Sequence, residues 1–349
     1  MTKAKSRKTI GLLLSACLFG CGGKVVIDRN GDGGGSASSD APCPADVLTD
    51  THNCGSCGHD CLGGSCASGV CQLVTVVTLE EEFVDSLVVD DSKIFWSGFG
   101  GIGAANKDGS GALKIVAGSY PSKGMAVDGQ HVYWTMHSES IEETSRVDKQ
   151  GASAAELIGP AGYRIAVDDT HVYGVWYGVW KAPKSGGETT YLVDNLGVQG
   201  IAVDDSHVYF SHWSFDDIDG VYKLPKSGGS PQKIGSSLEN TDVAVFGDKV
   251  FWGSHADSAI YAVSKSGGDQ AVIATADQPF GITVDATGVY WFESDLGNVW
   301  VLPAGWTTPL LLASGEEHPR DLAIDDEAVY WISVSNLDST SRIRKVRKP

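Results

Sequence analysis

Histidines and carboxylates gather in four short stretches: His137 with Glu139, Glu142 and Glu143; His212 with Asp216 and Asp217; His255 with Asp257; and Glu293 with Asp295. Oxygen donors at that density could hold Ca2+ or Mg2+, and a carboxylate beside a histidine could move protons in a lyase or hydrolase. In a chain with 44 acidic against 26 basic residues they read more simply as solvated loops. No cofactor is therefore expected, with Ca2+ or Mg2+ as the alternative. Six cysteines, Cys43, Cys54, Cys57, Cys61, Cys66 and Cys71, form a second group, five of them in NCGSCGHDCLGGSCASGVC from Asn53. Their spacing could suit zinc or an iron–sulfur centre. About thirty residues cannot make a core without staples, so three disulfides are expected, in any of fifteen pairings. A third group is chemically mixed: Asp85, Lys123, Tyr163, Arg164, Gln199, Asp242, Phe280, Arg320 and Asp321. No serine nucleophile motif, Walker loop or dinucleotide fingerprint accompanies these groups.

The third group owes its interest to the repeat that carries it. One pattern returns seven times: LVVDDSKIFW from Leu87, MAVDGQHVYW from Met125, IAVDDTHVYG from Ile165, IAVDDSHVYF from Ile201, VAVFGDKVFW from Val243, ITVDATGVYW from Ile282 and LAIDDEAVYW from Leu322. Successive starts lie 38, 40, 36, 42, 39 and 40 residues apart. A period near forty in a chain of short apolar strands predicts a β-propeller. Within a unit, Ile201-Ala202-Val203 forms an inner strand, Asp204-Asp205-Ser206 a turn, and Val208-Tyr209-Phe210 a second strand. Gly220–Leu224 forms a third strand, closed by the glycine turn at Lys226-Ser227-Gly228-Gly229. The last copy stops after its third strand, Ser341–Val346, whereas an unassigned strand, Leu73–Leu79, precedes the first. Pairing the two closes seven blades and hides two sheet edges. Six blades with an accessory hairpin is the alternative.

The residues just before each inner strand differ in charge and shape from copy to copy while the strands stay alike. A ring of unlike side chains at a channel mouth suits an asymmetric ligand, and these positions are the expected ligand site; tolerated loop residues are the competing reading. His131, His171 and His207 recur, but in turns on the opposite face and a blade apart, and are read as turn residues. The repeat resembles YWTD- and NHL-type propellers and, through PFGITVDATGVYWFESDLGNVW from Pro279, the virginiamycin B lyase group. That resemblance spans about residues 73–349 and implies seven blades. It would also imply metal-assisted elimination by His and Glu around the channel, but no such set can be matched to numbered positions here. The cysteine segment resembles Cys-rich modules of secreted myxobacterial-type proteins and the plant Stig family, which implies no chemistry.

Before the modules comes an address. Lys3, Lys5, Arg7 and Lys8 precede an apolar run, Ile10–Phe19, too short to span a bilayer. Leu18-Phe19-Gly20-Cys21 resembles a bacterial lipobox, which implies diacylglycerol on Cys21. A rival box ending at Cys17 would leave seven cysteines rather than six, and parity selects Cys21. The expected layout is a signal peptide over 1–20, a lipid-anchored linker over 21–42, the cysteine module over 43–71 and the propeller over 72–349. Asp28, Asn30, Asp32 and Gly33 imitate the start of a calcium loop, but Ser39 stands where its bidentate acid belongs. Loss of the four leading bases takes the net charge from −18 to −22, which repels nucleic acid and anionic lipid. The sequence thus predicts a monomeric binding or interaction protein, lipid-anchored to the outer membrane on its periplasmic or surface face. Its ligand would be a protein, glycan or small molecule. A metal-dependent lyase or hydrolase is the alternative.

Overall fold

Each apolar run of the repeat forms the innermost strand of a four-stranded antiparallel sheet, and there are seven such sheets. The computed structural model describes residues 46–118, 124–137, 142–194, 197–212 and 219–349. Cys21, Cys43, the leader and the linker lie outside them. Blades 1 to 6 run over 84–117, 125–160, 164–194, 198–235, 240–275 and 279–313. Blade 7 takes three strands from 322–347 and its outermost from Val74–Leu79. That early strand pairs antiparallel with the last one, Val74 opposite Lys345 and Leu79 opposite Ser341. The inner strand of every blade touches that of the next, and the seventh touches the first. The ring is closed, with seven blades rather than six.

Period-two alternation explains how the blades adhere. In a strand, neighbouring side chains point to opposite faces of the sheet. The aromatic pair that six of the seven second strands carry, Tyr or Phe followed by Trp or Phe, therefore sends one ring into each of two different cores. Tyr330 packs with Trp96 between blades 7 and 1, Phe95 with Trp134 between 1 and 2, and Phe251 with Trp291 between 5 and 6. Tyr290 meets Trp331 in the same way between 6 and 7. Seven apolar clusters result, one per junction. Blade 3 breaks the pattern at Gly174 and repairs it across the ladder. Gly174 pairs with Trp180 of the third strand, whose ring covers the glycine and fills the cluster that a second-strand Trp fills elsewhere.

A second device rivets the lower face, where the first-to-second and third-to-fourth turns lie. The aspartate after each inner strand caps its own turn: Asp128 Oδ1 accepts from the amides of Gln130 and His131, both at 2.8 Å. Its other oxygen accepts from Tyr133 Oη of the same blade and binds Lys184 Nζ of the next, at 2.8 and 2.6 Å. The same ion pair joins Lys149 to Asp90 at 2.5 Å, Lys226 to Asp168 at 2.6 Å and Lys265 to Asp204 at 2.8 Å. It also joins Lys348 to Asp285, and Lys107 to Asp325 at 2.7 Å. Six junctions carry it. At the junction of blades 5 and 6, Phe246 replaces the aspartate and Ala304 the lysine. His131, His171 and His207 open the second strands of their blades rather than lying in the turns, and His171 and His207 bond through Nδ1 to the neighbouring hydroxyls of Thr170 and Ser206.

The cysteine module is stapled by Cys54–Cys66 and Cys61–Cys71, and Cys57 is disulfide-bonded as well. The Sγ atoms of Cys54, Cys61 and Cys71 lie within 4.8 Å of one another. All three are oxidised, so no thiolate is left for a metal. The module sits at the lower end of blade 7, where Leu62 packs on the cluster between blades 7 and 1.

Two expectations follow. Val77 is buried in the strand that closes the ring, so Val77→Asp should cost at least about 3 kcal/mol in urea unfolding. Retained stability in that variant would show that closure contributes little. Burial alone would raise Asp128, Asp168 and Asp204, but the lysine, the turn amides and the tyrosine outweigh it and hold all three below the usual carboxylate range. A lowered folded pKa contributes stability that is complete above about pH 4 and lost as pH falls below it. Lys184→Met should therefore cost about 1–2 kcal/mol at pH 7, with a gap to the parent that narrows below pH 4. A gap constant down to pH 2 would reject the ion pair as its cause.

Candidate functional site

In blades 1, 4, 5 and 6 the paired site residues lie within the inner strand, at a register shift near its upper end: Asp85-Ser86, Gln199-Gly200, Thr241-Asp242 and Phe280-Gly281. The first of each pair faces the mouth of the channel, and the second faces inward and across it. Asp85, Tyr163, Gln199, Thr241, Phe280 and Arg320 hold first positions and line a funnel of about 380 Å3 on the upper face. Arg164 and Asp242 hold second positions and form its floor. Of the nine residues expected at the site, seven thus come together. Asp321 lies below the floor, only 7% exposed, and Lys123 lies outside the described residues.

The floor is an ionic bridge across the ring. Arg164 of blade 3 reaches Asp242 of blade 5 at 3.0 Å and Asp321 of blade 7 at 3.5 Å. Each carboxylate also locks the start of the next blade. Asp321 accepts from Ser86 Oγ and the Leu87 amide, both at 2.9 Å, and Asp242 accepts from the Gly281 amide at 2.7 Å. The other second positions are small, namely Ser86 and glycines 124, 200 and 281, which leaves room for a guanidinium in the middle. Gly281 is also required by its backbone, since its φ is +63° and a Cβ there would strike the Phe292 ring. Burial pushes the Asp321 carboxyl above the ordinary range, and Arg164 and the Leu87 amide offset only part of that. Burial would lower Arg164, but Asp242 and Asp321 together raise it, so it stays charged. Below this floor the channel is lined mostly by aliphatic side chains, among them Leu87, Met125, Ile165, Ile201 and Ile282.

Aromatic rings make the walls. Phe280 stacks on Phe292 with centroids 6.1 Å apart, and the His255 ring meets Phe280 edge-on at 4.3 Å. Burial holds His255 below its ordinary pKa, which favours the neutral ring. Tyr163 leans on Trp176 at 6.2 Å, and the Arg320 guanidinium lies 4.9 Å over the Phe83 ring. Sequence reasoning missed Phe292 as a wall residue, and Phe83, Trp176 and His255 as the rings that back Arg320, Tyr163 and Phe280. The chemistry on offer is recognition: flat apolar walls, one accessible guanidinium at Arg320, and hydrogen-bonding groups at Asp85, Gln199 and Thr241.

The loop acids do not converge. Glu293 accepts from the Asp277 amide, Asn298 Nδ2 and Trp300 Nε1, which consumes its oxygens in holding blade 6. Asp257 binds Ser254 and Tyr261, and Asp295 binds Gln278. Glu139, Asp216 and Asp217 lie outside the described residues, as does the His137 side chain. Among the described residues the three sulfurs above form the one cluster of His, Cys, Asp or Glu tight enough for an ion. Among the described residues, the loop acids and histidines do not gather into a site for an ion.

The chain matches no protein-family model and no curated protein. Its fold does match solved structures. Catalytically inactive virginiamycin B lyase from Staphylococcus aureus with quinupristin aligns over 80% of this chain and 99% of that one, at 14% identity and a TM-score of 0.62. BamB from Moraxella catarrhalis aligns over 81% and 93%, at 14% identity and a TM-score of 0.52. A chain of a nidogen–laminin complex aligns over 63% and 92%, at 16% identity and a TM-score of 0.51. The protein is therefore a seven-bladed β-propeller with a small disulfide-rich module before it. At such identities the likeness is one of fold.

Removing the central cation tests the floor. Arg164→Leu should cost about 3–5 kcal/mol in urea unfolding at pH 7, since it leaves Asp242 and Asp321 buried without their shared partner. A carboxyl whose folded pKa is raised binds its proton more tightly in the folded state, so the deficit should shrink as pH falls from 7 to 5. A deficit below about 1 kcal/mol at pH 7, or one that widens on acidification, would refute the bridge.

Proposed function

We propose that this chain is a lipid-anchored envelope protein whose propeller binds a ligand across its upper-face funnel. The observation that carries the reading is the convergence of unlike side chains from six blades on one cavity: Asp85, Tyr163, Gln199, Thr241, Phe280 and Arg320. A repeat scaffold needs the same residue at equivalent positions; six different ones around one mouth suit a ligand without symmetry. The aromatic walls and the Arg320 guanidinium favour a ligand with a flat or apolar body and an anionic or carbonyl-rich edge. A segment of an exported protein, an envelope glycan or a small molecule would each meet that description. The lyase alternative gains no support from the described residues, whose His and Glu side chains do not gather.

The anchor is tested by mass. Cys21→Ala should abolish incorporation of labelled fatty acid and release the chain from the membrane fraction; unchanged labelling would reject Cys21 as the site. The funnel is tested by thermal shift against exported proteins and envelope glycans. A ligand at a hundred times its Kd adds about 2.7 kcal/mol and should raise Tm by roughly 5 °C. Tyr163→Ala and Arg320→Ala, which spare the floor, should remove most of that shift. A shift that survives both would place the ligand elsewhere.

A further inference from the structure

The junction of blades 5 and 6 departs from the other six in a coordinated way. Phe246 and Ala304 stand where the others hold aspartate and lysine, so both members of the rivet are gone. Two residues past Ala304 comes Trp306, whose amide closes the turn on the Pro303 carbonyl at 3.0 Å. In the other five such turns that place belongs to a glycine with positive φ: Gly109, Gly151, Gly186, Gly228 or Gly267. In blade 6 the positive φ has moved back one residue, to Gly305 at +79°, and a large side chain fits after it. Phe246 is 45% exposed and Trp306 is 57% exposed. Packing does not account for two aromatic side chains turned to solvent where the repeat places small or charged ones. Phe246 ends its inner strand at the lower rim, and Trp306 lies in the third-to-fourth turn of the next blade.

Their surroundings narrow the occupant. Elsewhere the lower rim is acidic, with Asp91, Asp169, Asp205 and Asp326 exposed in the first-to-second turns. Blade 6 has Ala286 and Thr287 there instead, and Asp248 beside Phe246 is balanced by Lys249. The patch is a neutral apolar window on an anionic face. The chain enters the propeller on this same face, because Val74 begins its strand opposite Lys345 near the lower end of blade 7, one blade from Trp306. His59 and Asp60 of the module feel the charge of Arg347 at that end. If Cys21 is the anchor, only the residues numbered 22–42 separate the lipid from the cysteine module. So short a separation keeps the lower face near the bilayer at an effective concentration in the millimolar range, enough for a weak surface contact to persist. Trp and Phe are side chains that lodge at the lipid–water interface, and the acidic rim turns away anionic headgroups.

We propose that Phe246 and Trp306 seat the propeller on a zwitterionic lipid surface, with the upper-face funnel turned away from the membrane. The orientation rests on the lipid-anchor reading; the contact itself can be tested without the anchor. Residues 43–349 form one compact unit and can be used alone. An N-terminal His-tag would hold that unit on phosphatidylcholine vesicles containing a nickel-chelating lipid and brominated acyl chains. Tryptophan emission should be quenched by bromine, and less so when phosphatidylglycerol is added. The repaired variant Phe246→Asp/Ala304→Lys/Trp306→Gly copies the other six junctions, so its Tm should match or exceed the parent's while its quenching is lost. Equal quenching in parent and variant, or none in the parent, would overturn the proposal. So would a concentration-dependent dimer in solution that the repair abolishes, which would give the patch to a second copy. Because the His-tag replaces the lipid, failure of the Cys21→Ala labelling test and failure of this one are separate results.

Discussion

Ring closure is the constraint on which everything else in this molecule rests. A blade is one four-stranded sheet, apolar on both faces, and it is stable only with a neighbour on each side. An open row of seven would leave two sheet faces bare and two blades unsupported. Pairing Val74–Leu79 with Ser341–Arg347 ties the two ends of the described chain into a single blade and leaves no terminal sheet. The funnel inherits its geometry from that closure. Arg164 can bridge Asp242 and Asp321 only because blade 7 is held at its place in the circle.

Two kinds of inter-blade attachment work at different heights. In the middle, rings from adjacent second strands interlock and supply the apolar burial. On the lower face, the lysine of one blade sits on the aspartate of the blade before it, and in four junctions also over that blade's tyrosine ring, at 5.1–5.8 Å. The ion pair adds direction where the apolar contact has little: a rotated blade would keep much of its burial and lose its partner. The junction lacking the pair lacks both charges, as half a pair would leave a partly buried ion uncompensated. Among the described residues the upper face has no such ring. Its inter-blade bonds are made by individual residues, such as Ser211 Oγ donating to the Thr241 carbonyl at 2.5 Å and Thr241 Oγ1 donating to the Pro279 carbonyl at 3.0 Å. The lower face is thus uniform and the upper face free to vary.

The fold was legible because its signals are local and repeated. The forty-residue period, the Gly-Gly turns and the surplus strand at Leu73–Leu79 specify blade number and closure without three-dimensional information. The Lys–Asp rivets were not, although both residues stood in the repeat. Each had a sufficient local explanation, aspartate as a turn former and lysine as a loop residue, while its partner lay some 56 to 63 positions away at five junctions, and nearly the whole propeller away for Lys107 and Asp325. The joint loss at Phe246 and Ala304 was the readable signal. In the candidate site, the choice of the residues before each inner strand needed only the contrast between constant and varied positions. Dividing them into funnel and floor needed the alternation of side chains, which separates Arg320 from Asp321 although they are adjacent. Phe292 reaches the funnel from outside those positions, Phe83 and Trp176 back its lining residues, and no internal comparison of repeats singles them out.

The same closure dictates a timetable. Val74 and Lys345, which pair in blade 7, are among the first and last residues of the propeller to leave the ribosome. Six blades can assemble as they emerge, each on its predecessor, but the strand at Val74–Leu79 must wait unpaired until the final segment arrives. Until then it is an exposed edge with an alternating Val-Thr sequence that invites partners from other chains. A disulfide-stapled module immediately upstream gives that waiting strand a folded neighbour, which shields one end of it from chance encounters until the ring closes.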